Sequence, residues 1–391
     1  MNNSNKNICI ISKFLYENDT RLQQQAKSLI SNGKNVDVLC LYNKDQQKVK
    51  KEGALTVYGV ATPMRKDTLF LYLWSTLRFS AYVFIKLLLS KKKYSVIVVH
   101  TLPEFLVFIT VIQKLFGSKI LLDIRDTSVE LFDSKWQNRS LLRQIVKFIE
   151  KFSNYYADKI ITASPGFEEK LIERNVPKEK ITVLYNSADT NIFKFDSNRK
   201  FEKITSGAKI IYHGTIAERF GIDIAIEALS LVNEKIPNCE MMIYGFYDEE
   251  YKVELLKLID KLNLTNFIHL NGRESLPNLY KHILNADFGI VPYRSDIFME
   301  LALSTKMFEY VASGIPVVAS RLRPAELVFD NNCVIYAKPS KPEEFAAGII
   351  KLCLDPQLRR QNVKNAFDAH ALIAGEVMSK RYIDIVNSLI N

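Results

Sequence analysis

Two periods of apolar residues alternate along this chain. Ile8–Ser12 is a short apolar run of strand length. Leu22, Ala26, Leu29 and Ile30 then recur at helical spacing within Glu17 to Asn32, and Gly33 stops the run. Val36–Leu41 is apolar again. A strand, a helix and a strand in that order predict a β-α-β unit, the start of a doubly wound parallel sheet. Leu55–Val60, Tyr94–Val99, Lys119–Asp123, Lys159–Ala163 and Ile181–Tyr185 read as further strands. The stretch HTLPEFLVFITVIQKLFG reads as a helix capped by Gly117, and Ile145–Tyr156 as an amphipathic one. Leu131 to Arg143 is polar and aperiodic, which predicts a loop.

Phe195–Gly207 has no apolar period and reads as a linker. A second alternating series follows it. Strands are expected at Lys209–His213, Met241–Tyr244, Phe267–Leu270, Phe288–Pro292 and Val334–Tyr336. Helix faces are marked by Ile222, Ala225, Ile226, Leu229 and Val232, then by Val253, Leu256, Ile259 and Leu262, and by Leu279, Ile283 and Leu284. Pro342–Cys353, Leu358–Ala371 and Val377–Ile390 close the chain as helices. The expectation is two tandem Rossmann-like α/β domains facing across a cleft. Residues 1–195 form the first and 208–372 the second, and a terminal helix over 373–391 folds back on the first.

One stretch of the second series carries candidate chemistry. In Glu300 to Ser320, ELALSTKMFEYVASGIPVVAS, Ser304 precedes a helix face of Met307, Phe308, Val311 and Ala312, and PVVAS follows as a buried strand. The first amides of a helix lack partners within it, so its start can hold an anion. Lys306 adds a positive charge there, and Glu309 stands one turn on, at ribose distance from a phosphate on the helix start. An ordinary capped amphipathic helix would show the same spacing.

Composition narrows the picture. The chain has 391 residues with 53 Lys plus Arg against 43 Asp plus Glu, a net charge of +10. That excess favours anionic partners. No pattern of a nucleic-acid-binding module is present, so nucleic acid is not expected. Cys9, Cys40, Cys239, Cys333 and Cys353 are scattered without metal-site spacing and predict buried thiols of a reducing compartment. The polar opening MNNSNKN is not a leader, which predicts a cytoplasmic location. The first turn lacks the GxGxxG of a dinucleotide site. Asp19 and Arg21 lie in that turn, where ligands of α/β sheets bind. His100 ends one strand, and Asp123, Arg125 and Asp126 end another.

Leu69–Leu89 is apolar nearly all round, but Arg78 and Lys86 interrupt it and Lys91, Lys92 and Lys93 follow. A membrane span is therefore not expected. The stretch fits a buried crossover helix, and it equally fits a face lying on an anionic membrane.

Four segments together resemble the family-4 retaining glycosyltransferases of twin-Rossmann GT-B architecture, of the bacterial surface-polysaccharide type: NDTRLQQQAKSLISNGKNVDVL, HTLPEFLVFITVIQKLFGSKILLDIRD, YHGTIAERFGIDIAIEAL and LSTKMFEYVASGIPVVAS. The resemblance implies transfer of a sugar from a nucleoside diphosphate to a glycan or lipid-linked acceptor, with no cofactor. Glu309 would hold the donor ribose. Amides near Ser304 and Thr305, with Lys306, would hold the diphosphate, and the backbone at Gly272 and Arg273 would meet the base. The family's cationic pair in the turn after Gly214 reads Thr215 and Phe220 here, which leaves Arg219 to neutralise the leaving diphosphate. The first acid of the family's pair falls at Leu301, with Glu300 beside it. Arg125 replaces a histidine that contacts the donor sugar. It stays protonated, so Asp126 and Glu104 are the nearby carboxylates, and His100 is a further polar candidate. The donor phosphate is the expected base. No DxD triplet occurs, so no metal is expected. A sugar-nucleotide epimerase and a silent partner in a polysaccharide assembly complex are the alternatives.

Overall fold

The computed structural model describes residues 7–42, 47–61, 69–135 and 140–390. The chain forms two compact units, Met1–Tyr185 with Val377–Asn391, and Asn186–Glu376. The first unit thus ends at Tyr185 and not after 195. The reason is local: Ser187 Oγ donates to the Ile373 carbonyl, and Tyr280 Oη donates to the Lys194 carbonyl at 2.9 Å, tying this stretch to the second unit. The same contact keeps Ile373 in the second unit, and the last helix, Gly375–Ile390, joins the first unit only from Val377.

In the first unit the strands are β1 (Asn7–Leu15), β2 (Asn35–Leu41), β3 (Val49–Glu52), β4 (Leu55–Val60), β5 (Val96–His100), β6 (Lys119–Ile124), β7 (Lys159–Thr162) and β8 (Ile181–Val183). They pair in the order β3-β4-β2-β1-β5-β6-β7-β8. All pairs are parallel except β3–β4. Their helices are α1 (Thr20–Ser31), α2 (Leu69–Leu88), α3 (Val111–Leu115), α4 (Ser128–Lys135), α5 (Ser140–Tyr156) and α6 (Pro165–Glu173). β3 is exposed at all four residues and gave no apolar signal. The expected helix after His100 is instead a 3-10 segment, Glu104–Thr110, leading into the short α3. Its buried Glu104, Val107 and Thr110 recur every third residue, the 3-10 period. Leu131–Arg143 is not a loop throughout: α4 and α5 cover all of it except residues 136–139, which lie outside the described residues.

The steps β4 to β5, β5 to β6 and β6 to β7 all run the same way across the sheet. Right-handed crossovers therefore set α2, α3 and α5 side by side on one face. α2 and α5 both pack on the 3-10 segment between them. Phe79, Val83 and Leu87 of α2 enter a core with Cys9, Ile11, Ile97 and Val99. α5 has the opposite polarity. Its buried residues are Glu150, Ser153 and Asn154. Arg174 bridges Glu150 to Glu130.

In the second unit the strands are β9 (Lys209–Ile216), β10 (Glu240–Tyr247), β11 (Ile268–Asn271), β12 (Phe288–Val291), β13 (Val317–Ser320) and β14 (Ile335–Ala337). They form one parallel sheet in the order β11-β10-β9-β12-β13-β14. The helices are α7 (Ile222–Asn233), α8 (Glu249–Lys261), α9 (Leu276–Leu284), α10 (Thr305–Ala312), α11 (Arg323–Glu326), α12 (Pro342–Leu354) and α13 (Pro356–Ala371). No residue between 184 and 208 is helical or in a strand. Each unit is therefore a Rossmann-like α/β domain, as the alternating periods predict. Among the described residues, no helix is long and apolar enough to cross a membrane.

Two predictions follow from this packing. Gly221 has φ +64°, and a Cβ there would sit 1.9 Å from the Pro292 carbonyl oxygen. Gly221→Ala should cost roughly 2–4 kcal/mol, whereas Gly53→Ala, at φ +57° with open space around it, should cost about 1 kcal/mol. Equal losses in urea melts followed by circular dichroism would contradict this. The second concerns Glu104. Burial pushes its carboxyl up to about 7, with the nearby Glu150 adding to the rise. The folded protein then holds a proton between about pH 4.5 and 7 that the unfolded chain releases, so this group's contribution falls as pH rises. Glu104→Gln should gain on the parent across that window, by up to about 3 kcal/mol at pH 8 and little at pH 4.5. A difference independent of pH would refute it.

Candidate functional site

All strands of the second unit's sheet run in parallel, so its loops at the carboxyl ends share one edge. β9 carries His213 and Gly214 toward that end, the loop before α10 lies there, and Gly272 and Arg273 follow β11. Ser304 is the cap residue of α10, but its side chain does not bond the helix amides. It pairs instead with Tyr293 Oη at 3.0 Å. The start of α10 is thus left without a side-chain cap, while Thr305 is exposed.

Lys306 does not point outward from the first turn. It folds back over Gly214, where a Cβ would lie 2.4 Å from Lys306 Cε and 2.7 Å from Nζ. Its ammonium donates to Tyr293 Oη at 2.7 Å. It stands 5.1 Å from the ring centres of Tyr212 and Tyr293 and 5.2 Å from that of Phe220. The residue is 7% exposed. Among the described residues no carboxylate pairs with it. Three ring faces and one hydroxyl stabilise a cation less than a carboxylate would.

One turn on, Glu309 keeps a carboxylate at the same edge. Its Oε2 is 3.0 Å from Nε2 of the buried His213, without hydrogen-bond alignment. The His213 ring also meets Tyr310 edge-on at 5.1 Å. His213 and Tyr293 are the residues that the sequence reading missed. Their signal was present: each lies at the carboxyl end of a core strand. Thr215 is exposed at the end of β9, in register with Phe246 of β10. The guanidinium of Arg273 lies 5.1 Å over the Phe246 ring, and Gly272 faces open space. These groups make an exposed planar shelf beside β9.

Two expected residues are held elsewhere. Arg219, sole candidate for the missing cationic pair, is engaged by Asp296 at 3.0 Å and lies over Phe298. Glu300 accepts a bond from Ser295 in its own turn, at 2.5 Å. Neither is brought against Lys306 or Glu309 by a recorded contact. Lys306, and not Arg219, is the cation beside Gly214.

The first unit gathers its candidates into one chain of contacts. Arg21 makes a two-pronged pair with the buried Asp123, at 2.9 and 2.8 Å. Gln25, one turn along α1, donates to Asp123 at 2.6 Å and accepts from His100 Nε2 at 2.8 Å. His100 Nδ1 meets Arg125 at 2.5 Å, and Arg125 pairs with Asp19 at 2.7 Å. An arginine only donates, so Nδ1 must accept and Nε2 must carry the proton. His100 is therefore neutral. Burial, then Arg125, lowers it to about 3. Burial alone would raise Asp123, but Arg21, His100 and Arg125 together hold the carboxyl well below the usual range. Asp19 also caps α1 through Leu22 N at 3.0 Å. His100, Asp19 and Arg21 are thus tied into the frame and are not free groups. Glu104 is buried at the start of the 3-10 segment, and Asp126 is half-buried after β6. Among the described residues, no three His, Cys, Asp or Glu side chains gather as metal ligands.

Comparison with known proteins adds the family. Residues 193–369 match the model for glycosyl transferases group 1, and residues 19–187 that for a glycosyl transferase 4-like domain. An uncharacterized glycosyltransferase of Methanocaldococcus jannaschii is 28% identical over 180 residues, 43% of this chain and 42% of that protein. The matched stretches span between 39% and 56% of the curated relatives' own lengths, about half of them. Among solved structures, sucrose-phosphate synthase of Thermosynechococcus elongatus superposes with a TM-score of 0.79 at 17% identity, covering 98% of this chain and 99% of that one. HepE of Anabaena in complex with UDP-glucose gives 0.69 at 15% identity, covering 98% and 99%. On these matches the chain carries a glycosyl transferase 4-like domain followed by a domain of glycosyl transferases group 1, on the two-domain fold it shares with those solved structures.

Proposed function

We propose that this chain is a retaining, family-4-type glycosyltransferase. It moves a sugar from a nucleoside-diphosphate sugar to a glycan acceptor, lipid-linked, in cell-surface polysaccharide biosynthesis at the cytoplasmic face of the plasma membrane. The observation that carries the reading is the uncapped start of α10 with Lys306 buried beside it and Glu309 one turn on. An anion on the first amides of α10 and on Lys306 would neutralise a buried ammonium that, among the described residues, has no carboxylate partner. A ribose would then fall near Glu309, whose second oxygen is left for its hydroxyls while His213 borders the first. The base would rest on the Phe246–Arg273 shelf beyond Gly272. That the HepE structure named above holds UDP-glucose supports a nucleotide sugar as the ligand class.

Charge builds on the diphosphate as the glycosidic bond breaks, so Lys306 is the group that stabilises departure. Arg219 contributes only on exchanging Asp296 for phosphate. The donor phosphate itself takes the acceptor proton, which accounts for His100 being held neutral and away from chemistry. The first domain takes the acceptor, with Asp126 and Arg125 as its candidate polar groups, and Glu300 is the candidate acid of the loop before α10. The reading needs no metal, because Lys306 and the helix start supply the positive charge.

The test is a thermal-shift panel of UDP, GDP and their sugars. At least one should raise the melting temperature of the parent by mass action. Glu309→Gln should weaken that nucleotide about 10- to 100-fold, the worth of one charged hydrogen bond, at unchanged stability. Slow release of nucleoside diphosphate from the active donor should continue in EDTA. No shift from any nucleotide would overturn the reading.

A further inference from the structure

The helices on one face of the first unit turn large apolar side chains outward. On α2, Trp74, Leu77, Ile85 and Leu88 are exposed opposite the buried Phe79 and Val83, with Trp74 at 55%. On α3 and its cap, Leu115 and Phe116 are exposed, Phe116 at 84%. On α5 Leu141, Ile145, Phe148, Phe152 and Tyr155 are exposed, spaced four, three, four and three apart along one stripe. This helix is inverted: its buried residues are Glu150, Ser153 and Asn154. An apolar stripe of that length costs stability when left in water, so it points to something that covers it.

The charges on this face say what. Among the described residues Arg78, Lys91, Lys93, Lys147 and Lys151 are exposed there without an acidic partner. The sequence of α2 through Lys93 contains no Asp or Glu, nor does α3. The single acid of α5, Glu150, faces inward to Arg174. A second copy of the chain packed through these three helices would set the cations against one another, and α2, α3 and α5 offer no exposed carboxylate to answer them. A bilayer of anionic phospholipid supplies both an apolar layer for the rings and phosphates for the cations.

We infer that α2, α3 and α5 together form a docking plane for an anionic phospholipid bilayer, with the α5 stripe entering the headgroup boundary. The plane belongs to the first unit alone, so it stands or falls independently of the donor site.

The experiment is co-sedimentation of the full chain with phosphatidylcholine vesicles and with vesicles also containing phosphatidylglycerol. Binding should appear on the anionic vesicles at low salt and weaken with added salt. The double variant Phe148→Glu with Phe152→Glu should lose at least tenfold in partitioning, and Lys147→Glu with Lys151→Glu about tenfold. Both variants should keep the parent's circular dichroism and its nucleotide thermal shift, because every altered residue is exposed. Failure of the parent to bind anionic vesicles at low salt would overturn the inference, as would unchanged binding by both variants. A concentration-dependent dimer in light scattering, abolished by the Phe148/Phe152 variant, would also overturn it and assign the stripe to a second copy.

Discussion

A buried ammonium without a carboxylate is the constraint around which the second unit is arranged. Lys306 is folded against Gly214, a position where any side chain would displace it. Tyr212, Phe220 and Tyr293 present ring faces to it, and Tyr293 bonds both Lys306 and Ser304. Ser304 is thereby drawn away from capping α10. One polar chain thus does two things: it fixes the cation and leaves the helix start open. Both consequences favour an anion at the same place.

The first unit uses polar groups in the opposite manner. From Arg21 through Asp123, Gln25, His100 and Arg125 to Asp19, each residue meets the next, and the directions at His100 and Gln25 follow from arginine having no lone pair to offer, while Arg125 Nε finds no acceptor among the described residues. In a low-dielectric interior the bonds of such a network are strengthened and hold its members in place. It clamps α1 to the ends of β5 and β6. The last helix adds to the same region, with Arg381 bonding the Val183 carbonyl and the buried Tyr382 close to Asp123.

Much of this architecture was legible in the sequence because strands buried on both faces are nearly pure apolar runs. β1, β5, β9 and β12 are of that kind. Edge and surface elements were not legible. β3 is charged and wholly exposed, and although α5 read correctly as an amphipathic helix, its period did not tell that it buries Glu150 and Asn154. At the site, the cap, Lys306 and Glu309 were readable from spacing along one helix. The Lys306–Gly214 contact joins residues 92 positions apart, and a pairing of that range leaves no local trace. For the same reason Arg219 looked free in the sequence, although Asp296 holds it. Phe220, which stands where the family carries a cation, becomes intelligible once its ring is seen against Lys306.

The most direct measurement compares UDP with uridine by titration calorimetry on the parent and on Lys306→Met. The account predicts that the parent prefers UDP strongly. Replacing the buried ammonium should bring UDP close to uridine while leaving the unliganded protein at least as stable as before. If Lys306→Met bound UDP as the parent does, the ammonium would not be the anion's partner and the account of this site would be wrong.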